Sequence, residues 1–77
     1  RGFDTLKQEK PLKAYLRDVL DNLAARPQWS FRELLLSCGG PEAVFGVFLS
    51  VLELVKQRQV HVTQDEPGGE IGIALRE

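Results

Sequence analysis

One stretch of this sequence decides the fold, residues 48–73, which reads FLSVLELVKQRQVHVTQDEPGGEIGI. Up to Gln59 its apolar residues recur at helical spacing, and from Val60 onward they alternate with polar ones. A Pro-Gly-Gly turn at 67–69 divides the alternating part into two short runs. The pattern predicts a helix that is followed directly by a β-hairpin.

Two helical segments are predicted before this stretch. The first begins at Pro11, because the fixed φ of proline suits the first helical position, and its apolar residues fall on one stripe. It ends near Arg26, since Pro27 disfavours a helical conformation in the residue before it. Residues 27–31 are short and partly apolar, which predicts a small strand before the second helix.

The second helix has a clear start and a clear end. Ser30 and Glu33 have the spacing of a capping box, and the glycine pair at 39–40 ends the helix. Four of its apolar residues are predicted to pack inward at least in part: Phe31, Leu34, Leu35 and Leu36.

The remaining elements complete an α+β domain. Pro41 is predicted to open the third helix, which runs to about Arg58, and the two strands are predicted at 60–64 and 70–75. Three helices followed by a two-stranded wing are the order of a winged-helix domain. We assign this domain to residues 11–77 and predict that residues 1–10 are a linker or a frayed extension.

Length and composition limit the possible functions. The chain has 77 residues, which is one domain, and it is 43% hydrophobic and 27% charged, as expected of a folded protein. Its one cysteine, Cys38, excludes an internal disulfide, and no apolar run is long enough to cross a bilayer. The sequence begins at Arg1 and contains no methionine, so we expect a fragment of a larger cytoplasmic protein.

No enzyme site is predicted. His61 is the only histidine, so a zinc site has too few ligands, and Cys38 at a helix end is more typical of a small apolar filler than of a nucleophile. The glycine pairs at 39–40 and 68–69 lack the spacing of phosphate-binding loops. We therefore expect no catalytic residue, no metal, no cofactor and no small-molecule ligand.

The third helix is apolar over more of its circumference than a small domain needs. At 100° per residue its apolar positions cover an arc of roughly 240°. The polar or small strip consists of Glu42, Gly46, Ser50, Glu53, Lys56 and Gln57. Four residues are predicted as partner-binding anchors, with some of them expected to be core: Phe45, Phe48, Leu49 and Leu52. The alternative is that the hairpin and the first helix cover this helix completely.

The last strand has two unlike faces. Its alternation predicts that Ile71, Ile73 and Leu75 face the core, while Gly72 and Ala74 face outward. The two small residues leave this face almost bare, so a partner can approach closely. In a two-stranded wing the last strand is also a sheet edge, so we expect that it can pair with a strand of the partner.

DNA binding by a transcriptional regulator is the alternative function. A recognition helix presents donors and acceptors near its N-terminus, but residues 41–45 are a proline, a carboxylate and three apolar residues. The predicted wing is acidic and the formal net charge of the chain is -1, where a DNA-binding domain carries a basic face. The residues favour a monomeric domain with a protein partner.

The same motifs resemble a known family. The helix FLSVLELVK at 48–56, the strand 60–64 that ends in Gln64, and the turn Gly69-Glu70-Ile71 are similar to the C-terminal domain of segregation and condensation protein A, the bacterial kleisin. The resemblance covers about 29–75. Gly68 departs from the pattern, because the family often has a phenylalanine before the turn glycine.

This resemblance implies a partner and a function. It implies a winged helix that docks on the ATPase head of a structural-maintenance-of-chromosomes (SMC) protein, while a kleisin N-terminal domain outside this chain binds the other head. The bridge closes a ring around DNA for chromosome condensation and segregation, so DNA is contacted only indirectly and ATP hydrolysis belongs to the partner. A second kleisin-associated winged-helix subunit binds regions outside this chain. The expected location is the bacterial cytoplasm, at the nucleoid.

Overall fold

The computed structural model describes residues 10–76, and its elements follow the predicted order. The elements are α1 Leu12–Ala25, β1 Gln28–Ser30, α2 Phe31–Ser37, a 3-10 helix Gly40–Ala43, α3 Val44–Lys56, β2 Val60–Gln64 and β3 Ile71–Leu75. The predicted α+β class is confirmed, with a winged-helix-like arrangement of helices and sheet. The predicted linker or frayed extension at 1–10 lies, except for its last residue, outside the described residues.

Helix α1 begins one residue later than predicted. Pro11 has an extended backbone (φ -71, ψ 159) and caps the helix instead of forming its first residue. Its carbonyl oxygen accepts hydrogen bonds from the N–H groups of Ala14 at 2.9 Å and Tyr15 at 3.3 Å. The helix ends at Ala25, as the following proline predicts.

The predicted capping box at the start of α2 is confirmed. The Glu33 N–H donates to Ser30 Oγ at 3.0 Å, and the Ser30 N–H donates to Glu33 Oε1 at 3.0 Å. The Arg26 guanidinium donates to the same carboxylate at 3.0 Å and lies 4.0 Å from the centre of the Trp29 ring. These contacts fasten the end of α1 and strand β1 to the start of α2.

The inward packing predicted for α2 is wrong at one residue. Leu34 is buried, and Phe31 and Leu35 pack against the core, but Leu36 is 65% exposed. A helix of seven residues presents only one face to the core, and Leu36 lies about 160° around the axis from Leu34.

Helix α3 has a different start from the predicted one and a tightly built end. The chain from Gly40 to Ala43 forms a 3-10 turn, and the α-helix begins at Val44 instead of Pro41. At the other end Arg58 adopts a positive φ of 62°. The Gln59 N–H donates to the Leu54 carbonyl at 2.9 Å, which with the Arg58 N–H on the Val55 carbonyl forms a Schellman motif. The hairpin therefore follows the helix with almost no free linker.

The sheet has the order β1-β3-β2, and all its pairs are antiparallel. Ile73 stands opposite Trp29 on one side and Val62 on the other. The last strand is therefore central, and the expectation that it is an edge is wrong. Strand β1 pairs with the side of β3 that would be free in a two-stranded wing. The sequence did not predict this pairing, because a strand of three residues is too short to show an alternating pattern.

The core lies between the helices and one face of the sheet. Ile73 is fully buried and Leu75 packs against the core, as predicted. Ile71 is 41% exposed, so its predicted core position is wrong. It pairs with Gln64 at the turn end of the hairpin, where the strand runs past the core.

Helix α1 packs on the small residues of α3. A Cβ added to Gly46 would lie 2.3 Å from the ring of Tyr15, so the ring occupies the space of a missing side chain. Ser50, one turn later, is fully buried, and its hydroxyl has no hydrogen-bond partner among the described residues. The strip of polar or small residues is therefore not a solvent-exposed face at these two positions, because Gly46 contacts α1 and Ser50 is buried.

This packing predicts that Gly46→Ala destabilises the domain. Helix propensity alone would favour alanine by about 1 kcal/mol, but the added methyl group overlaps the body of the Tyr15 ring. We expect a net loss of about 1 to 3 kcal/mol in the free energy of unfolding, measured by urea denaturation. Lys56→Ala, on an exposed face of the same helix, is the control and should stay within about 0.5 kcal/mol of the wild type. A more stable Gly46→Ala variant would contradict the packing.

Candidate protein-docking surface

The four predicted anchors of the third helix all lie on the surface. The exposed fractions are 76% for Phe45, 49% for Phe48, 47% for Leu49 and 46% for Leu52. The expectation that some of them are core is wrong, and so is the alternative that α1 and the hairpin cover α3 completely. Because α1 packs on the face with Gly46, the apolar flank of α3 turns toward solvent.

Two of these anchors line an apolar groove between α3 and the hairpin, which we call the α3–wing groove. Its volume is about 170 Å³. It is lined only by apolar side chains: Phe31, Phe48, Val51, Leu52, Val55, Val62, Ile71 and Ile73. Val55 and Val62 were not predicted to lie on this surface, because their places in the helical and alternating patterns are equally compatible with burial in the core.

The other two anchors belong to a separate surface, which we call the α1–α3 patch. Leu12, Phe45 and Leu49 are its exposed apolar residues. Together with Lys10 and Pro11 they border a cavity of about 240 Å³. The helix thus divides the four predicted residues between two sites, with Phe48 and Leu52 in the groove.

The small residues of β3 lie on the opposite face of the sheet from the groove. Gly72 alternates with the buried Ile73, so its predicted outward orientation is confirmed, and the same holds for Ala74. A Cβ at Gly72 would lie 2.9 Å from Thr63 Oγ1, so the neighbouring side chain partly covers this position. Because β3 is hydrogen-bonded on both sides, pairing with a partner's strand at these residues is excluded.

A larger recess of about 510 Å³ lies over this outward face, but its rim is polar. It carries charges of both signs, from Arg32, Glu33, Asp65 and Glu70. Among residues 10–76 no group of three or more His, Cys, Asp or Glu side chains is placed to hold a metal ion. The chemistry of the recess does not single out a ligand.

The lone cysteine is part of the interior. Cys38 is buried, and burial raises the pKa of its thiol, which disfavours the reactive thiolate. The Asn22 side-chain amide donates to Cys38 Sγ at 3.7 Å. These contacts agree with the predicted role as a small apolar filler.

The helices are short for a membrane span. No single helix of the described chain is long and apolar enough to cross a bilayer. The segments Phe31–Ser37 and Gly40–Lys56 reach the required length and apolarity only when taken together, and they are bent by 105°.

Comparison with known families gives a direct assignment. The family model of segregation and condensation protein ScpA matches residues 5–76, nearly the whole chain. The chain belongs to the ScpA family. ScpA proteins are kleisins, structural proteins of the SMC complex that act in chromosome segregation and condensation. The comparison with curated proteins gives no significant match.

The motif residues of the ScpA resemblance have visible structural roles. The Gln64 side-chain amide donates to the Gly69 carbonyl at 2.9 Å across the wing. The Gly69 N–H donates to the Glu66 carbonyl at 2.9 Å within the turn. A glutamine at the end of β2 and a glycine in the turn therefore close the wing of this ScpA domain.

The exposure of the groove is tested by a matched pair of leucines on α3. Leu52 is 46% exposed and Leu54 is 1% exposed, although only one residue separates them. We expect Leu54→Ala to lower the free energy of unfolding by about 2 to 5 kcal/mol, because it leaves a core cavity. Leu52→Ala should cost less than about 1 kcal/mol, since its side chain already contacts water. Equal losses in urea denaturation would show that the groove is closed in solution.

Proposed function

We propose that this chain is the C-terminal winged-helix domain of a bacterial kleisin and docks on the ATPase head of an SMC protein through the α3–wing groove. The observation that carries this proposal is the groove itself, whose exposed apolar side chains include Phe48, Leu52 and Val62. A family that works within the SMC complex supplies the class of partner.

The groove has the properties of a hot spot. Phe48 and Leu52 are one helical turn apart, so an apolar side chain of the partner can insert between them and the wing. Interface energy concentrates in such central apolar pockets, and truncating one of their residues typically costs about 2 kcal/mol or more. We therefore assign Phe48 and Leu52 as the principal anchors.

The groove is smaller than a complete interface. Stable protein interfaces bury roughly 1,200 Å² or more in total, so the head must also contact surface beside the groove. Val55 and Ile71, at its rim, extend the apolar area onto the end of α3 and onto the wing. Gly72 and Ala74 lie on the other face of the sheet, and this proposal does not include them.

The domain's task in this proposal is mechanical. It holds one end of the kleisin on one SMC head, while a kleisin domain outside this chain holds the other head and closes the ring around DNA. ATP hydrolysis is then the work of the head, and a second winged-helix subunit joins through other parts of the kleisin. The domain would act as a monomer in the bacterial cytoplasm, at the nucleoid.

The alternative, a DNA-binding winged helix, has less support from the surface. The exposed residues at the start of α3 are Val44 and Phe45, which offer no hydrogen-bond donor to a base edge. The wing is exposed and carries Asp65, Glu66 and Glu70, which repel phosphates. We therefore expect little affinity for duplex DNA.

Charge substitutions in the groove test the docking proposal. We expect Phe48→Arg or Leu52→Arg to weaken binding to a purified SMC head by about 30-fold or more, because the guanidinium would be buried without a partner. Leu36→Arg, on the exposed side of α2, is the matched control and should bind normally. The measurement is titration calorimetry, with circular dichroism to verify that each variant is folded.

Two results would contradict the proposal. Normal head binding by both folded groove variants would exclude the groove as the docking site. Tight binding of non-specific duplex by the wild-type domain, falling steeply with salt, would favour the DNA-binding alternative instead.

A further inference from the structure

Strand β2 is an open edge of the sheet. In the order β1-β3-β2 it has a hydrogen-bonded neighbour on one side only, and no other element of the described chain pairs with it. Four of its five residues, 61–64, are exposed. An edge strand presents a row of N–H and C=O groups, and another extended backbone matches them directly.

The hydrogen bonds beside β2 show which of its backbone groups face the open side. The Arg76 N–H donates to the Gln59 carbonyl at 2.9 Å, and the strand register places these two residues opposite each other. Hydrogen-bonded and non-hydrogen-bonded pairs alternate along an antiparallel ladder, so His61 and Thr63 are the next residues that bond to β3. The N–H and C=O groups of Val62 therefore point away from β3, toward the open side.

The other edge of the sheet is protected, and this one is not. Strand β1 has only three residues and follows directly after Pro27. Short length, proline, lysine and bulges are the usual devices that prevent a sheet edge from pairing with other chains. Strand β2, VHVTQ, contains neither proline nor lysine, and it pairs with β3 over five residues without a bulge. It therefore has none of these protections.

The open edge adjoins the α3–wing groove. Val62 lies on the edge strand, and its side chain lines the groove together with Val55 of α3. Directly opposed residues of neighbouring strands project from the same face of a sheet. A residue placed opposite Val62 on an added strand would therefore project toward the groove side, where an apolar side chain continues the apolar surface.

The wing supplies negative charge at one end of this edge. Asp65 follows β2 directly, and Glu66 and Glu70 lie in the same hairpin. Within residues 10–76 these three carboxylates form no salt bridge. A strand that runs along β2 meets this charge beside the wing, so electrostatic complementarity favours a lysine or arginine there.

We propose that the partner of the α3–wing groove adds an extended strand to the open edge of β2. The strand carries an apolar residue opposite Val62 and a basic residue beside Asp65 and Glu66. Because the strand belongs to the SMC head, its presence rests on the docking function proposed for the groove. Backbone pairing along β2 supplies part of the contact area that the groove alone lacks.

Amide hydrogen exchange tests the strand pairing in the unmodified domain. In the free domain we expect fast exchange at Val62 and Gln64, whose N–H groups face the open side, and slower exchange at His61 and Thr63, which bond to β3. Addition of a purified SMC head should slow exchange at Val62 and Gln64 by about 10-fold or more, because the added strand bonds these groups.

A proline substitution tests the same pairing through binding. Val62→Pro removes the outward N–H without removing a bond to β3, and proline is tolerated at such an edge position. Val62→Ala is the matched control, because it shortens the side chain and keeps the N–H. We expect Val62→Pro to weaken head binding about 10-fold more than Val62→Ala does, with circular dichroism to verify that both are folded.

A charge reversal tests the composition of the added strand. We expect Glu66→Lys to weaken head binding by about 3-fold or more at low salt and by less at high salt, because the lysine faces a basic residue. Asp21→Lys, on the exposed side of α1, makes the same change in net charge and is the control. Equal effects of the two reversals would overturn the basic residue of the strand.

Three further results would overturn the added strand. Unchanged exchange at Val62 and Gln64 in a complex that Leu52→Arg disrupts would leave the docking proposal intact without strand addition, and equal losses for Val62→Pro and Val62→Ala would mean the same. Slow exchange at these residues in the free domain that becomes slower with domain concentration would show that a second copy occupies the edge. No binding of the unmodified domain to the head would overturn the docking proposal as well.

Discussion

The contact of the Tyr15 ring with Gly46 determines which side chains of α3 face the core and which face solvent. A glycine in the middle of a helix is unfavourable by itself, and here it makes room for an aromatic ring of the neighbouring helix. Because α1 packs on the side of α3 that carries small residues, the large apolar residues of α3 project from its other sides. Some of them reach the sheet, and the others reach solvent.

The turn after α3 fixes the second half of the surface. The Schellman motif at Arg58 joins helix and hairpin directly, so the wing leaves α3 at a set angle. Val62 on β2 and Ile71 on β3 then stand opposite Phe48. The groove is formed by helix and wing together, and neither element would form it alone.

These features give a structural role to the sequence motifs that resemble the ScpA family. The apolar helix supplies one wall of the groove, and the two strands supply the other. Gln64 and Gly69 hold the wing turn closed through a side chain and a carbonyl. An exposed apolar surface of this kind is compatible with a structural protein of the SMC complex, the class to which the ScpA family belongs.

The sequence by itself determined the elements, their order and much of the surface. The capping box at Ser30, the proline at 27 and the change of hydrophobic period at Val60 are local signals, and each fixed a boundary to within about one residue. The excess apolar arc of α3 correctly indicated an exposed flank, because the circumference of a helix follows from its sequence alone.

Only the tertiary structure decided which residues form that exposed flank and which other elements lie beside it. Gly46 and Ser50 look like part of a polar strip, but Ser50 is buried and Gly46 receives the ring of Tyr15, a residue of another helix. The central place of β3 depends on pairing with β1, more than 40 residues earlier in the chain, and three residues carry too weak a pattern to predict it. Phe45 and Phe48 lie in two different sites for the same reason. The periodicity of the sequence gives the direction in which each side chain leaves the helix, but only the packing of the other elements decides what lies in that direction.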